Sequence, residues 1–515
     1  MKFNCVLFYG DTHWPGSKSA GAFRIATELR QHGYTVQTVD VSGFRTTEAY
    51  NELKDIVKNF ISDETLWVGF STTFLYSIIG FPFARTPESF EIHWPVKPDA
   101  NLKSFMSFVR DINPNIEFIA GGSRKFLVEQ YGFTFFRGNN DTEIITYTNW
   151  LANGKQGPLD LDINDSIVMG KEFEDFHRSK IEYEDNDILS PNDILPIEIS
   201  RGCVFKCKFC AFPMNGKTKG DWIKKSNILI EEFTRNYEKF GITDYVFSDD
   251  TYNDTLDKVK MLHDDVFSKL PFKIEFTTYI RLDLMIRFPE MVPYLAQSGL
   301  KSALFGIETI NHMSGKVIGK GLDPMTQFQF IEEIKKNEWK EVLTYSGFML
   351  GLPHDTPESL DEFEEFIFSD KNKLDAIKVD PLYIHPPKFK HLNRIYYAEF
   401  DIEHEKYGYE CYEHIESDPW TEVRWRNHIT GMNFDQTYER ARRIESRSLN
   451  SAKFKFGGFM YSYYKTLGIP GHEMMATSNK EILQKYNIDR LKLAKIADYK
   501  SKLKTLSLKN IDTNK

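Results

Sequence analysis

Cysteine is scarce in this chain, with 5 in 515 residues, and so few across such a length cannot staple the fold as a disulfide framework does in small secreted domains. No run of about 18 consecutive apolar residues occurs, so hydropathy offers no membrane span. An excess of positive charge is also missing. The 65 Lys and Arg are outnumbered by 74 Asp and Glu, for a net charge of -9 and a pI near 5.9, which leaves no electrostatic basis for nucleic acid as the main partner. The opening MKFNCVLFYGDTHWPG lacks a signal-peptide pattern and reads as a first strand, so a cytoplasmic protein is expected. What is present is an ordinary globular composition, 41% hydrophobic and 27% charged, in a chain long enough for two or three domains.

Residues 1–150 alternate strand-like and helix-like patterns. Val6–Tyr9, Thr35–Val41, Leu66–Ser71 and Ile116–Ala120 are short runs rich in β-branched or aromatic residues. Between the first two, AGAFRIATELRQHG places Phe23, Ile25, Ala26 and Leu29 on one helical face and stops at Gly33. Strands separated by helices predict a Rossmann-like (flavodoxin-like) parallel sheet with helices on both faces. Leu75–Pro98, rich in Phe and Pro, reads as a long loop. Residues 151–190 are polar and acidic and read as a linker. A second alternating stretch, 191–394, has strand candidates at Ile197–Ser200, Tyr245–Ser248, Ile274–Tyr279, Ala303–Ile307, Ser346–Leu350 and Ala376–Ile384. Six such units predict a partial (β/α)6 barrel of the TIM type, whose chemistry belongs at the C-terminal ends of the strands. Residues 395–515 read as a mainly helical C-terminal extension, ending in a lysine-rich helix expected to be solvated.

The cysteines that remain are clustered. Ile199-Ser-Arg-Gly-Cys203-Val-Phe-Lys-Cys207-Lys-Phe-Cys210 puts three of them in a loop directly after a strand. Thiolates are the natural ligands of iron–sulfur clusters, whereas structural zinc and ordinary electron-transfer clusters take four protein ligands. Three ligands on a four-iron cluster leave one iron open. A zinc site completed from afar, or a non-catalytic iron–sulfur module, is the rival reading.

CxxxCxxC at the end of a first barrel strand resembles the signature of the radical S-adenosylmethionine (SAM) superfamily. The resemblance implies a [4Fe-4S] cluster on Cys203, Cys207 and Cys210 and reductive cleavage of SAM to a 5'-deoxyadenosyl radical that acts on a substrate. It implies an electron donor such as flavodoxin or ferredoxin. Phe209 holds the place of the family's aromatic residue beside the adenine. Other strand ends fit in turn. Asp249 and Asp250 stand where many members carry a SAM-binding Gly-Gly-Glu, with a strand-end cap as the bland alternative. Arg281 is placed to pair with the SAM carboxylate, or with Asp283 at the barrel rim. Glu308, in Gly306-Ile-Glu308-Thr309, matches the glutamate that reaches the ribose. Gly347 and Gly351 match the adenine-supporting segment, with His354 in place of its glutamate.

The N-terminal part resembles the branch with a cobalamin (B12)-binding-like domain. Asp11-Thr-His13-Trp-Pro-Gly16 fits D-x-H-x-x-G, whose histidine takes the lower position on cobalt. Ser71-Thr-Thr73 and Gly121-Gly122 resemble the elements that cradle the nucleotide tail. A degenerate domain that keeps the fold without cobalamin is the alternative. Methyl transfer with cobalamin, and oxidation or rearrangement by the radical alone, both stay open, as does the substrate. Leu75–Pro98 and the aromatic segment SAKFKFGGFMYSYYKTLG are the candidates for a lid.

Overall fold

The computed structural model describes residues 2–11, 14–44, 47–72, 100–122, 131–170, 176–212, 216–218, 222–389, 396–415 and 421–512. His13, Thr73 and the Leu75–Pro98 segment lie outside these described residues.

The N-terminal sheet is built from β1 (Cys5–Tyr9), β2 (Val36–Asp40), β3 (Trp67–Ser71), β4 (Glu117–Gly121), β5 (Thr134–Arg137), β6 (Ile163–Asn164) and β7 (Ile167–Met169), in the order β2-β1-β3-β4-β5-β7-β6. Every side chain of β1 and β2 is buried, because helices cover both faces of a parallel sheet and leave no solvated side. The helix Ala20–Gln31 packs through Ala22, Phe23, Ala26 and Leu29. Ile25, expected on that face, is only partly buried beside it. The order 2-1-3-4-5 makes the boundary between β1 and β3 the topological switch point, where this architecture forms its ligand crevice. Asp11 follows the end of β1 at that point.

Residues 151–190, read as a linker, do more than connect. β7 pairs in parallel with β5 and β6 closes an antiparallel edge on it, while Ile181 and Tyr183 are buried in the main core. The short apolar trio Ile167–Met169 was masked in the sequence by the acidic residues around it.

The second sheet is all parallel: β8 (Leu195–Ile197), β9 (Asp244–Phe247), β10 (Glu275–Ile280), β11 (Leu300–Glu308), β12 (Leu343–Leu350) and β13 (Ala376–Pro381), in sequential order. This is the expected six-unit partial barrel.

The C-terminal region is mainly helical but adds an unforeseen hairpin, β14 (Tyr409–Ile415) with β15 (Thr421–Asn427). Two of its helices decide how the barrel is built. Phe459–Thr466 lies against β9 and β10. Ser462 bonds Thr277 at 2.7 Å, Lys465 pairs with Glu275 at 2.7 Å and with Asp244, and Gly458 N donates to Ser302 at 2.6 Å. The aromatic segment therefore fills the lower barrel as a floor, where a lid was expected.

The terminal helix Ile488–Asp512 is docked on the first domain, where a solvated helix was expected. Leu503 is fully buried, the Tyr499 hydroxyl accepts from Asp40 N at 2.7 Å, and Lys500 pairs with Glu52 at 2.9 Å. Its lysine stems supply the apolar surface that its sequence hides: Lys495 lies over Gly16, and Ile496 covers Gly43. Among the described residues no helix is long and apolar enough to cross a membrane.

Candidate functional site

The three loop cysteines are each part-buried, whereas Cys5 and Cys411 are buried elsewhere. Gly202 turns the chain out of β8 with φ +73°, a conformation that glycine adopts without strain. The loop is then tied down by backbone bonds. Gly216 N and Lys217 N donate to the Cys203 carbonyl at 2.6 and 3.2 Å, Lys208 N reaches Ile318 O at 3.3 Å, and Phe400 N reaches Lys208 O at 3.0 Å. Cys203 Sγ lies 3.1 Å from Thr251 Oγ1, and Arg281 Nη1 lies 3.6 Å from Cys207 Sγ. Among the described residues no three His, Cys, Asp or Glu side chains converge as they would on a single ion. A four-iron cluster instead takes one thiolate per iron. Phe209 is half-buried against the barrel core.

Arg201, two residues before Cys203, anchors this loop to the rest of the molecule. Its guanidinium bonds Glu198 at 2.9 and 3.1 Å and reaches Asp141 at 2.8 Å. Asp141 also holds Arg24 at 3.2 Å, in the first helix of the N-terminal domain. Burial pushes the Glu198 carboxyl up, but Arg201 more than reverses this and brings it down to about 2.

The two aspartates after β9 part company. Asp249 is fully buried and committed inward: it accepts from Ile199 N at 3.1 Å and Ser200 Oγ at 2.5 Å and pairs with the buried Lys258 at 3.3 Å. It braces β8 against β9 and is not placed to hold a ligand, so only Asp250 stays a candidate. Burial, with Asp249 next to it, pushes the Asp250 carboxyl up to about 6.

Arg281 adopts the rim arrangement. Asp283 takes its Nε and Nη2 at 2.8 and 2.5 Å, and Phe205 stacks 3.8 Å from the guanidinium carbon. Among the described residues, a cation at this mouth that the matched motifs do not mark out is Lys320. A Cβ on Gly306 would lie 2.8 Å from both Glu308 Oε1 and Lys320 Nζ, so these two groups share the space over that glycine. Among the described residues Lys320 has no carboxylate within ion-pair distance, and the turn that carries it lies beside the cysteine loop, where a Cβ added to Gly319 would fall 3.8 Å from Cys207 Cα. A Gly-Lys-Gly turn one helix after Glu308 is the signal that marks it.

Glu308 closes β11 with φ +69°. Thr309 N bonds back to Ile307 O at 2.9 Å, so Glu308 centres a three-residue turn of the strained γ type. Burial raises its carboxyl, opposed by Lys320 and Arg281. Tyr279 keeps 38% of its surface accessible although burial pushes its phenol up to about 12, with Glu308 and Asp250 adding to the shift. A side chain both deep and accessible lines an internal chamber. Gly347 opens onto that chamber, since an added Cβ there would meet nothing within 4 Å.

Gly351 does not. Its Cβ position is filled by Trp425 at 2.5 Å, its N–H is held by Asp355 at 3.0 Å, and its carbonyl by Tyr409 at 2.7 Å. This glycine is required by packing, not by a ligand. His354 is exposed with φ +73°, and the buried Asp355 next to it holds the turn through Gly351 N, Leu352 N and Ser314.

Trp14 meets the barrel through aromatic contacts. Trp14 stacks on Tyr463 at 5.8 Å and meets Phe459 at 6.2 Å, and Phe459 meets Tyr279 at 5.3 Å. Asp11 Oδ1 accepts from Trp14 N at 2.9 Å. Thr72 is buried and bonds the Gly121 carbonyl, which ties the ends of β3 and β4 together.

A fold of this kind, with thiols and an acid–base ring at one barrel mouth, defines a class, and the comparisons agree with it. Residues 197–367 match the radical SAM superfamily. The ribosomal protein uS12 methylthiotransferase RimO of Prosthecochloris aestuarii is 23% identical over 190 residues, 35% of this chain and 42% of that one, so the match spans less than half of that relative. Among solved structures, the radical SAM methyltransferase TsrM of Kitasatospora setae, with cobalamin and a [4Fe-4S] cluster bound, aligns with a TM-score of 0.54 at 15% identity, over 80% of this chain and 81% of that one. The cobalamin-dependent radical SAM enzyme OxsB, with aqua-cobalamin and SAM bound, aligns with a TM-score of 0.54 at 15% identity, over 79% of this chain and 56% of that one. The two-domain fold is the one these enzymes share.

Proposed function

We propose that the chain is a radical SAM enzyme that holds a [4Fe-4S] cluster on Cys203, Cys207 and Cys210 and cleaves SAM reductively. The observation that carries this reading is the three part-buried thiols on one tethered loop beside the open, charge-lined chamber of the region that matches the radical SAM superfamily. Bound there, the cluster would supply through its open iron the electron that splits SAM into methionine and a 5'-deoxyadenosyl radical.

The chain's own residues have distinct tasks. Asp250 is placed to accept from the SAM ammonium, Lys320 to meet its carboxylate, and Glu308 to accept from the ribose hydroxyls. Gly347 leaves room for the adenine, which Phe209 flanks. Arg281, held by Asp283, keeps a positive charge against Cys207. Tyr279, Phe459 and Trp14 wall the chamber from water, which a radical requires. The electron comes from a small carrier of the flavodoxin or ferredoxin type, and an oxygen-sensitive cluster suits a reducing compartment such as the cytoplasm.

Anaerobic reconstitution tests the reading. Reduced protein is expected to bind about four irons per chain and to release 5'-deoxyadenosine from SAM. Iron binding without that product would make the chain a non-catalytic iron–sulfur module, and zinc in its place a structural metal site.

A second reading, cobalamin-dependent methyl transfer, is favoured by the Trp14 contact. It sets Trp14, the residue after His13 in the sequence, against the aromatic residues that lead to Tyr279. Cobalt is then expected in the purified protein and lost in His13→Ala. Equal cobalt in both proteins, or none in either, would leave the radical alone as the reagent.

One pH dependence follows from Asp250. Its carboxyl ionises near pH 6 in the free protein, and a bound ammonium favours the ionised form. SAM affinity is therefore level above about pH 6 and falls up to about tenfold per unit below it, one proton being displaced. Asp250→Asn is expected to flatten this profile and weaken SAM binding while the melting temperature holds or rises, because a carboxylate that is costly to bury has been removed. Equilibrium dialysis across pH 5 to 8, with thermal melts, checks both outcomes.

A further inference from the structure

The chamber has a second charged wall, on the side away from the cysteines. Strand β13 runs Ala376-Ile-Lys378-Val-Asp380-Pro381, and its register sets Lys378 beside Gly347 and Asp380 beside Met349. Val379 packs into the barrel core, so the alternation of a strand turns Lys378 and Asp380 the other way, into the barrel. They pair at 2.6 Å with 48% and 35% of their side chains accessible, and the adjoining Gly347 position is open space. The helix Phe434–Leu449, packed along β13, brings a second pair, Arg442 and Glu445 at 3.1 Å. The groups act on one another. Burial and Asp380 both raise the Glu445 carboxyl, opposed by Lys378 and Arg442. Tyr345, on the floor below, feels Tyr279, Asp380, Glu445 and Glu308 together.

Packing does not explain this wall. Interior barrel positions are ordinarily filled by apolar residues, and ion pairs withdrawn from water contribute little to stability compared with a well-packed apolar substitute. Here Lys378 and Asp380 stand beside the open space at Gly347, with Arg442 and Glu445 largely covered behind them. Although each carboxylate has a basic partner, Asp380 still raises the Glu445 carboxyl, so a further cation between the two would relieve that repulsion, while Lys378 offers the complementary place for an anion.

We infer that Lys378, Asp380, Arg442 and Glu445 form the substrate subsite, and that it takes the ammonium–carboxylate head of a free α-amino acid. Asp380 and Glu445 receive the ammonium, and Lys378 receives the carboxylate. The rest of the molecule lies over Gly347, towards the ring of Asp250, Tyr279 and Glu308. The inference rests on the radical SAM reading and adds to it the class of substrate.

The test uses the full chain, reconstituted with iron and sulfide under anaerobic conditions and supplied with SAM and a chemical reductant. The release of 5'-deoxyadenosine is followed with each of the twenty common L-amino acids, and with the N-acetyl and methyl ester forms of any that respond. At least one free amino acid is expected to change the rate about fivefold or more, with both capped forms silent. Lys378→Met and Asp380→Asn should need at least tenfold more of that amino acid, and Lys378→Arg should recover most of the response. Silence from all twenty overturns the proposal, as does a capped form acting as well as the free one. The capped forms decide the question even where a variant loses its iron. Failure of the wild-type chain to cleave SAM at all would instead defeat the radical SAM reading, so the two failures are distinct.

Discussion

Cys207→Ala is expected to lose its iron and its capacity to cleave SAM together. With one thiolate gone, the loop offers two, and neither of the other two cysteines can take the vacant place. Cys5 is fully buried in the first sheet, and burial holds its thiol well above its usual range. Cys411 lies buried in the hairpin, its thiol pushed by burial up to about 12. Neither presents the thiolate that a cluster needs. Iron should fall from about four per chain to near zero, with the cluster's visible absorption and electron paramagnetic signal lost in parallel. Cys411→Ala is the matched control. It removes one small buried group, costs about 1 kcal/mol of stability, and should leave iron and SAM cleavage intact. Retained cleavage in Cys207→Ala would sink the site assignment.

The second large effect concerns Arg201, which contacts no ligand. Arg201→Met leaves the largely covered Glu198 (18% accessible) without its cation, and the buried Asp141 with Arg24 alone. Breaking a buried pair from one side costs about 3–5 kcal/mol. The Glu198 carboxyl sits at about 2 against an ordinary 4.5, a difference worth about 3 kcal/mol. The sign follows from the depressed value. This stabilisation is complete above about pH 4.5 and is lost as pH falls towards 2. Urea unfolding at pH 7 should show the full loss, and between pH 4.5 and 3 wild type should weaken more steeply than the variant. Because Arg201 begins the cysteine loop, iron should also leave the variant faster when it is challenged with a chelator. An unfolding curve that matches wild type at pH 7 would show that this network holds nothing in place.

Much of this was legible along the chain. β-branched and aromatic runs between helical stretches placed the first four strands of the first sheet and all six of the second to within a few residues, because a doubly covered parallel sheet must be apolar on both faces; β5, four residues long, went unread. β6 and β7 were not legible. Two short strands inside an acidic stretch have no period long enough to see, and only pairing with β5 makes them strands. The terminal helix was read as solvated for a similar reason. Its lysines look polar as letters, and only the docked helix shows that Lys495 covers Gly16 with its stem.

The site divides along the same line. The loop with Cys203, Cys207 and Cys210 was visible from the sequence alone, since cluster chemistry depends on residue type and on spacing within a few residues. Glu308 stood out because a charge after a buried strand is hard to explain by packing. Between neighbours such as Asp249 and Asp250 the sequence has no means to choose. Which of the two faces the chamber depends on Lys258 and Ser200, brought from other elements to hold Asp249 inside. Arg281 was offered to SAM until folding set Asp283 across its guanidinium, and Lys320 became an available cation. Gly351 looked like a ligand cradle until Trp425 filled its place. The sequence by itself determined the thiolate loop and the two parallel sheets, because each rests on local spacing and periodicity. Only the tertiary structure decided which charges face the chamber, because a charge is spent or left open by partners that lie far away along the chain.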